Sequence, residues 1–565
     1  MALKLVVLCL VLIEFAIGDV IVQTYDGKIR GISQQTRNGI TYNSFLGVRY
    51  GKNPINELRF QPPIPVDPWD DVFDATTEKG ICYQVTLDSD LETEDCLLLN
   101  LYTPMDLSSN SSASLPVMFF IHGGGFVEGS GILEWGVGPQ FLVEYGVIMV
   151  AINYRLGPFG FLSTGDSVIP GNVGMKDQLM ALQWVQRNIK YFGGDPEKVT
   201  IFGQSAGAAS VSYLLLSPLS KGLFRAAILE SGSALSPWAY QRNQVEISFQ
   251  TAAVLNQEFA ENRNSSDLLE YLQSISGKEI DVASAELTAK IQNAGNLQIS
   301  KGFFYTPVIE QQSDDAFLTN LQYESFANGL FNNVPVLIGF NAEESLFMIS
   351  DGFPAILEAY DSDTKLVVPF DMHIGDLDVK QAVGDIIKQF YIPGQNFQDS
   401  LLAGVKYHSN QDFDKSVIKQ AELQAPYIPV YFYEFTYSGK MGNNPTHLDG
   451  SGAVGHGEEQ NYIFGRWYSD ELPDNTDLSQ FPQADVNVHY RFMTLFTNFA
   501  KYLNPTPEQE EILQNIIWPT VQTENFQYLQ IDTDLSVNQG YPKSKMYSLW
   551  TNLYETYGTK PFDTF

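Results

Sequence analysis

Cysteine is scarce in this sequence. The 565 residues include only three, at positions 9, 82 and 96. So few cysteines cannot form a disulfide-dense scaffold. Cys82 and Cys96 alone also cannot build a structural zinc site, which needs four ligands. We therefore expect neither a fold that depends on a structural metal ion nor any other metal site.

Positive charge is also scarce. Lys and Arg total 33 against 66 Asp and Glu, which gives a net charge of −33. Nucleic-acid binding depends on basic side chains that neutralise phosphates, so nucleic acid is excluded as a partner. An anionic membrane surface would repel the chain. With 44% hydrophobic residues the composition is globular, and a small molecule is the expected partner.

Long apolar runs are missing except at the start of the chain. Lys4 precedes the apolar run Leu5–Ile13, and the small residues Ala16-Ile17-Gly18 follow it. This three-part pattern predicts a secretory signal peptide over residues 1–18, and the run is too short to span a bilayer. We expect a mature chain that begins near Asp19, has no membrane span and is extracellular.

Two further features agree with secretion. Removal of the leader leaves Cys82 and Cys96, an even number in an oxidising compartment, and a bridge between them would close a short loop. Two triplets, at Asn110 and Asn264, match the N-glycosylation motif. The sequence contains no pattern that indicates an oligomeric state.

Short apolar runs alternate with helical stretches along the chain. Strands are predicted at Pro116–Ile121, Gly146–Ile152, Val199–Phe202, Ala226–Leu229, Val336–Gly339 and Val430–Phe435. Buried strands separated by helices are typical of a parallel sheet. The sequence predicts one large α/β domain over residues 19–565, with a mostly parallel central sheet flanked by helices and a helical insertion near residues 240–326.

A nucleophile motif follows one of these strands. Gly203-Gln204-Ser205-Ala206-Gly207 matches G-x-S-x-G, with a strand before it and a small-residue helix after it. In that context the turn holds the serine in strained backbone geometry at the start of a helix, and the two glycines allow strand and helix to approach closely. Ser205 is the predicted nucleophile.

A triple glycine follows another strand, in His122-Gly123-Gly124-Gly125-Phe126. Ester cleavage places negative charge on the carbonyl oxygen, and backbone N–H groups stabilise that charge when no side chain blocks them. Successive glycines suit this task. The N–H of Ala206, directly after the nucleophile, would add another donor.

A base and an acid must complete the site. Of six histidines, His456 lies in a glycine-rich loop after the Val430 strand, and His447 is its main competitor. Chain order places the base after the serine and the acid, which favours His456. The acid is expected where the Val336 strand ends, and spacing alone does not separate Glu343 from Glu344.

Taken together, these motifs resemble the cholinesterase and type-B carboxylesterase family of α/β-hydrolases. Further shared segments are Arg59-Phe60, Glu94-Asp95-Cys96-Leu97, Asn153-Tyr154-Arg155-Leu156-Gly157, Gly171-Asn172, Asp177-Gln178 and Phe192-Gly193-Gly194-Asp195-Pro196. The resemblance covers nearly all of the chain beyond the leader. It implies Ser205 as nucleophile, Glu344 as acid and His456 as base.

The same resemblance assigns other positions. It implies that the oxyanion donors are Gly124, Gly125 and Ala206. It also implies a disulfide between Cys82 and Cys96. Two positions depart from the family pattern: Ser345 stands where a glycine is usual, and Gly452 lies four residues before the histidine instead of three.

The residues around the site also bear on the substrate. With Gln204 directly before the serine, the motif resembles that of the insect juvenile hormone esterases and their secreted relatives. Cholinesterases hold a quaternary ammonium with a Trp in the first disulfide loop, and Tyr83–Asp95 contains no Trp. Choline esters are therefore not expected. Trp238 is a candidate wall of the acyl pocket and is equally compatible with plain core.

We expect a secreted serine esterase that cleaves small to medium hydrophobic esters through an acyl-enzyme, without metal or organic cofactor. Juvenile hormone and pheromone or odorant esters are candidate substrates. The alternatives are a lipase-like hydrolase and a non-catalytic adhesion protein on the same fold.

Overall fold

A large twisted sheet forms the centre of the computed structural model, which describes residues 18–85, 89–107, 114–133, 136–293, 302–443, 446–465 and 477–565. Within those residues the strands are β1 (Gly18–Gln23), β2 (Lys28–Gln35), β3 (Thr41–Arg49), β4 (Val72–Asp74), β5 (Ile81–Cys82), β6 (Glu92–Thr93), β7 (Leu98–Thr103), β8 (Leu115–Ile121), β9 (Ile148–Ile152), β10 (Gly194–Gln204), β11 (Ala226–Glu230), β12 (Val336–Asn341), β13 (Val430–Phe435), β14 (Gln527–Ile531) and β15 (Leu535–Gln539). The predicted leader, apart from Gly18, lies outside the described residues.

Helices connect most of the parallel strands. In the described ranges they are α1 (Gly157–Phe161), α2 (Val173–Asn188), α3 (Ala206–Leu216), α4 (Gln244–Leu255), α5 (Ser265–Ser274), α6 (Gly277–Asn293), α7 (Gln322–Ala327), α8 (Phe353–Ser362), α9 (Leu377–Tyr391), α10 (Leu401–His408), α11 (Lys415–Gln424), α12 (Gln460–Phe464), α13 (Gln483–Tyr502) and α14 (Ser544–Tyr557). A π-helical turn, Ser409–Asp414, joins α10 to α11. The helical insertion expected between β11 and β12 contains α4, α5 and α6.

The sheet is parallel in its middle and antiparallel at its edges. Its strand order is β1-β2-β3-β7-β9-β8-β10-β11-β12-β13-β14-β15, with β4 beside β2 and with β5 and β6 paired separately. The neighbours from β9 to β14 run parallel, whereas β1, β2, β3 and β7 pair antiparallel, as do β14 and β15. The predicted mostly parallel sheet is confirmed.

Helices cover both faces of the parallel strands. Along β8, Phe119 and its alternate neighbours join one hydrophobic cluster, and Phe120 with Met118 joins the other. Residues of α3 and α11 belong to the first cluster, and residues of α13 belong to the second. Burial on both sides explains why these strands are continuous apolar runs, since neither face meets water.

Strand β10 is longer than the apolar run predicted. It begins at Gly194 instead of Val199, because Gly194 pairs with Leu115 on β8 and the register shifts before Val199. The stretch between them contains Pro196, which breaks the apolar pattern. An irregular pairing of this kind leaves no periodic signal in a sequence.

Candidate active site

The candidate catalytic residues gather at one edge of the sheet. Strands β8, β10, β11 and β12 are neighbours and run parallel, so their carboxyl ends meet at the same edge. His122 follows β8, Ser205 follows β10, Ser231 follows β11, and Glu344 comes three residues after β12. This edge therefore assembles the residues that lie far apart in the chain.

Ser205 occupies a strained turn between β10 and α3. Its backbone angles are φ 58° and ψ −122°, a region that non-glycine residues rarely adopt, and its N–H donates to Glu230 O at 2.8 Å. A Cβ on Gly207 would lie 2.0 Å from Ile121 O, and a Cβ on Gly203 would lie 2.6 Å from the Gly207 carbonyl carbon. Both glycines are required because β8, β10 and α3 converge closely at this turn.

The glycine loop lies directly against the serine. A Cβ on Gly123 would lie 3.0 Å from Ser205 Cβ, and Gly124 and Gly125 have φ of +100° and +60°. Among the described residues, none accepts a hydrogen bond from the backbone N–H of Gly124, Gly125 or Ala206. These three N–H groups are available to a ligand oxygen beside the serine.

His122 anchors that loop. Its buried ring stacks on Tyr154 with centroids 4.5 Å apart, its Nδ1 lies 2.8 Å from Gly123 O, and Tyr154 donates from its hydroxyl to His122 O at 3.1 Å. Burial lowers the pKa of His122 to about 4, so the ring is neutral at physiological pH.

His456 and Glu344 form a close pair. The distance from Nδ1 to Glu344 Oε2 is 2.6 Å, with the carboxylate fully buried and the imidazole 16% exposed. Glu344 Oε1 also accepts from Ser231 Oγ and from the Asn341 backbone N–H, each at 2.6 Å. Three donors therefore hold the carboxylate. The roles of Ser231 and Asn341 were not predicted, although Ser231 follows a strand end just as Ser205 does.

Glu343 and Glu344 hold the same loop in different ways. Glu343 accepts from the Gly452 N–H at 3.1 Å and donates its own N–H to Val454 O at 2.9 Å, while Glu344 binds the imidazole. A Cβ on Gly452 would lie 2.9 Å from backbone atoms of residue 342, so this glycine permits the close approach. His447, the competing histidine, is exposed.

The amide of Gln204 reaches the other imidazole nitrogen. Its Nε2 lies 3.2 Å from His456 Nε2, whereas the half-buried Ser205 Oγ forms no hydrogen bond with the described residues. His456 Nε2, the nitrogen that would accept the serine proton, thus faces Gln204 and not Ser205 itself. Catalytic hydrogen bonds commonly close only when substrate is bound, so this geometry is compatible with a triad.

Aromatic rings surround the imidazole. The centroids of Phe413 and Phe347 lie 4.7 Å and 5.7 Å from that of His456, and Phe347 is 58% exposed. Trp238 packs on Phe413 at 5.8 Å and on Phe303 at 5.7 Å, and is itself 1% exposed. An apolar wall of this kind suits an apolar substrate.

The π-helical turn positions part of this wall. It contains Phe413, and the carbonyl of Asp412 accepts from Trp238 Nε1 at 2.8 Å. Ser409, at its start, accepts from the backbone N–H of Ser345 at 3.0 Å. Ser345, which replaces the family's usual glycine, thus contacts the turn through its backbone, and its buried Oγ has no hydrogen-bond partner among the described residues. No periodicity in the sequence indicated the π-turn, although such turns are frequent at functional sites.

Other predicted residues are placed as follows. Cys82 and Cys96 form a disulfide. Asn264 is exposed, and its side chain accepts from the N–H groups of Ser266 and Asp267 at the start of α5. Asn110 lies outside the described residues. Within the described part of the chain, no helix has the length and apolarity needed to cross a bilayer.

Comparison with known proteins adds an independent finding. The sequence model of the Carboxylesterase family matches residues 18–550. Esterase FE4 from Myzus persicae is 35% identical over 511 residues, which cover 87% of this chain and 86% of the relative. Juvenile hormone esterase from Tribolium castaneum is 31% identical over 545 residues, or 92% and 88% of the two chains.

A solved structure is similar as well. Juvenile hormone esterase from Manduca sexta, crystallised with OTFP covalently attached, superposes with a TM-score of 0.81 at 28% identity. The match covers 95% of this chain and all of that chain. The similarity in fold thus extends over nearly the whole chain.

Proposed function

The chain belongs to the carboxylesterase family and is a carboxylic-ester hydrolase, and from this premise we propose that Ser205, His456 and Glu344 are its catalytic triad. His456 Nε2 takes the proton of Ser205 as Oγ attacks the ester carbonyl. Glu344 holds the imidazole by Nδ1 and stabilises the imidazolium that forms. The alcohol leaves with that proton, and water activated by the same imidazole then releases the acid from the acyl-enzyme.

The glycine loop stabilises the tetrahedral intermediate in this proposal. The unoccupied N–H groups of Gly124, Gly125 and Ala206 donate to the oxyanion. Such donors act at full strength because they are already oriented and need no rearrangement during the reaction. Loss of one of them typically costs a factor of about 10² to 10³ in kcat.

The convergence of Ser205, the His456–Glu344 pair and the glycine loop at one sheet edge carries the proposal. We expect Ser205→Ala to lower kcat for a short p-nitrophenyl ester by about 10⁴-fold or more. Ser210→Ala, further along α3, is the matched control and keeps its activity. A fluorophosphonate probe should label one serine, and peptide mass spectrometry that located the label elsewhere would reject the assignment.

We further propose that the substrates are small to medium hydrophobic esters. The aromatic wall of Phe347, Phe413 and Trp238 beside the imidazole supports this, since apolar substituents of a bound ester would displace water from these rings. Juvenile hormone is one candidate, supported by the names of two relatives, and a pheromone or odorant ester is another.

A substrate panel tests this assignment. It contains a juvenile-hormone-like methyl ester, long-chain acetates, choline esters and emulsified triglycerides, compared by kcat/KM. Preference for the first two classes supports the proposal. Choline-ester preference contradicts it, and activation by an oil–water interface would favour the lipase alternative instead.

We propose that Trp238 is part of the acyl pocket, where its ring packs against Phe413 and Phe303. We expect Trp238→Phe to raise the ratio of kcat/KM for bulky acyl groups to that for acetyl groups, because the smaller ring leaves space. A uniform change for all acyl groups would indicate a purely structural role.

We also propose that the protein is secreted and glycosylated. The leader pattern, the disulfide and the exposed Asn264 support this. Expression in insect cells should place the esterase activity in the medium, and glycosidase treatment should lower the apparent mass. Asn110→Gln and Asn264→Gln would each remove one glycan, and an unchanged mass for either would exclude that position.

A further inference from the structure

Two buried carboxyl groups lie close to Glu344, the acid of the proposed triad. Glu230, Glu344 and Glu459 are each fully buried, and we call them the acid cluster. Asn341 joins two of them, since its backbone N–H donates to Glu344 and its side-chain amide donates to Glu459. Gln460 joins Glu459 to Glu230, because its Nε2 lies 3.5 Å from Glu459 Oε1 and 2.6 Å from Glu230 Oε2.

The acid cluster lacks cationic partners. In the described part of the chain, neither Lys nor Arg forms an ion pair or hydrogen bond with any of its members. The groups that face it are the His456 imidazole from the loop, the Tyr433 phenol from β13 and the Asp414 carboxyl from the π-helical turn. Burial and the three carboxyl groups raise the pKa of Tyr433 well above its usual value, and Asp414 is paired with Lys543 at 2.7 Å while Glu344 and burial raise its pKa. Three buried negative charges beside one imidazole would be very costly, so the cluster must hold protons.

The hydrogen bonds rank the three members. Glu344 accepts from three strong donors, and Glu459 accepts from Asn341 and Gln460. Glu230 accepts only from Gln460, and its buried Oε1 has no partner among the described residues. Because donors stabilise the charged form, Glu344 is best suited to carry charge and Glu230 is least suited.

The electrostatics agree with this order. Burial, together with the neighbouring Glu459, raises the pKa of Glu230 well above its ordinary value. Burial and the charge of Glu344 raise the pKa of Glu459 to about 7. Glu230 therefore stays protonated at neutral pH, while Glu459 changes its charge there.

We propose that Glu230 and Glu459 are positioning residues that hold protons beside the triad. Glu230 is permanently neutral, and Glu459 is a titrating group whose charge acts on His456. The proposal rests on the catalytic role proposed for His456. An ionised Glu459 favours the imidazolium that forms in the transition state, and a protonated Glu459 does not. The stabilisation is present above about pH 7 and is lost as the pH falls through that value.

The pH dependence of kcat tests the role of Glu459. We expect the kcat of the parent enzyme to rise in a step as the pH increases through about 7, separately from any other transition in its pH profile. Glu459→Gln should lack this step. At high pH the variant should have a kcat about 3- to 10-fold lower with little change in KM, since the missing charge acts on the transition state. Glu434→Gln, which removes a half-buried acid on β13, is the matched control and keeps the step. A Glu459→Gln variant that keeps it would overturn the proposal.

Infrared spectroscopy tests the proton on Glu230 without reference to catalysis. The parent protein at about pH 8 should show the carbonyl stretch of a buried protonated carboxylic acid, which Glu230→Gln removes and Glu459→Gln retains. If Glu230→Gln does not fold, the parent and Glu459→Gln spectra still decide, because a missing band in both would overturn the proposal. Failure of the triad itself would appear instead as full activity in Ser205→Ala with the band intact.

Discussion

In the described part of the chain, two histidines contact a carboxylate at hydrogen-bond distance through Nδ1, and only one of these two pairs lies at the carboxyl edge of the parallel strands. His456 Nδ1 lies 2.6 Å from Glu344, and His408 Nδ1 lies 2.8 Å from Asp412. The two contacts are nearly alike in length and in the nitrogen they use. Their surroundings differ.

The His408 pair is enclosed. Its imidazole and carboxylate are 4% and 2% exposed, and the far nitrogen of the ring faces Tyr360 OH at 3.2 Å. Burial raises the pKa of that phenol above its ordinary value, so it is a poor nucleophile. The His456 pair is partly open, and its Nε2 faces the amide of Gln204, the residue directly before Ser205. A histidine–acid pair becomes a candidate for catalysis only where a strained hydroxyl and free backbone donors accompany it.

The largest expected effect separates the two histidines. His456→Gln should lower kcat by about 10⁴-fold or more, because no other described group replaces the base. The variant should keep the parent's melting temperature within a few degrees. Steady-state hydrolysis of a p-nitrophenyl ester and a thermal melt provide the measurements, and activity above one per cent of the parent would contradict the assignment.

The carboxylate should have the next largest effect. Glu344→Gln keeps the shape but removes the charge that stabilises the imidazolium, and we expect kcat to fall by about 10³- to 10⁴-fold. Glu343→Gln is the matched control, since its neighbouring side chain binds the loop backbone at Gly452. We expect a loss below about tenfold there, and an equal loss in both variants would mean that the loop and not the charge matters.

The enclosed pair should act on stability alone. His408→Gln breaks its bond to Asp412 in the buried turn between α10 and α11, which should lower the free energy of unfolding by about 1–3 kcal/mol. The kcat should stay within about threefold of the parent, because this ring does not contact the reacting groups. Urea denaturation and steady-state kinetics, run on the same preparation, check both expectations. A hundredfold loss of kcat in a folded variant would remove the distinction between the pairs.

The smallest expected effect concerns the residue beside the base. Gln204→Glu places a negative charge next to His456 Nε2, which favours the protonated ring. A protonated base is inactive, so the acid limb of the kcat/KM profile should move to higher pH by on the order of half to one unit. Gln204→Met, which has similar length and no charge, is the control. A limb that stays in place in Gln204→Glu would show that residue 204 is not electrostatically coupled to the base.

The sequence alone determined the parts of this protein that depend on neighbours in the chain. Parallel strands buried on both faces must be apolar throughout, so β8, β11, β12 and β13 were visible as runs. The turn at Ser205 and the glycine loop also depend on local geometry, because no other residue type tolerates such close backbone approach. The family's motifs, matched against the chain, pointed to the carboxylesterase fold and ester hydrolysis, both of which the comparisons confirm.

Only the tertiary structure decided which distant side chains meet. Spacing could not separate Glu343 from Glu344, and the structure places one on the loop backbone and the other on the imidazole. The contacts of Ser231, the π-turn behind Phe413 and the acid cluster likewise had no sequence signal. The physical reason is that these contacts join residues more than a hundred positions apart or depend on an irregular turn, and neither produces a periodic pattern along the chain.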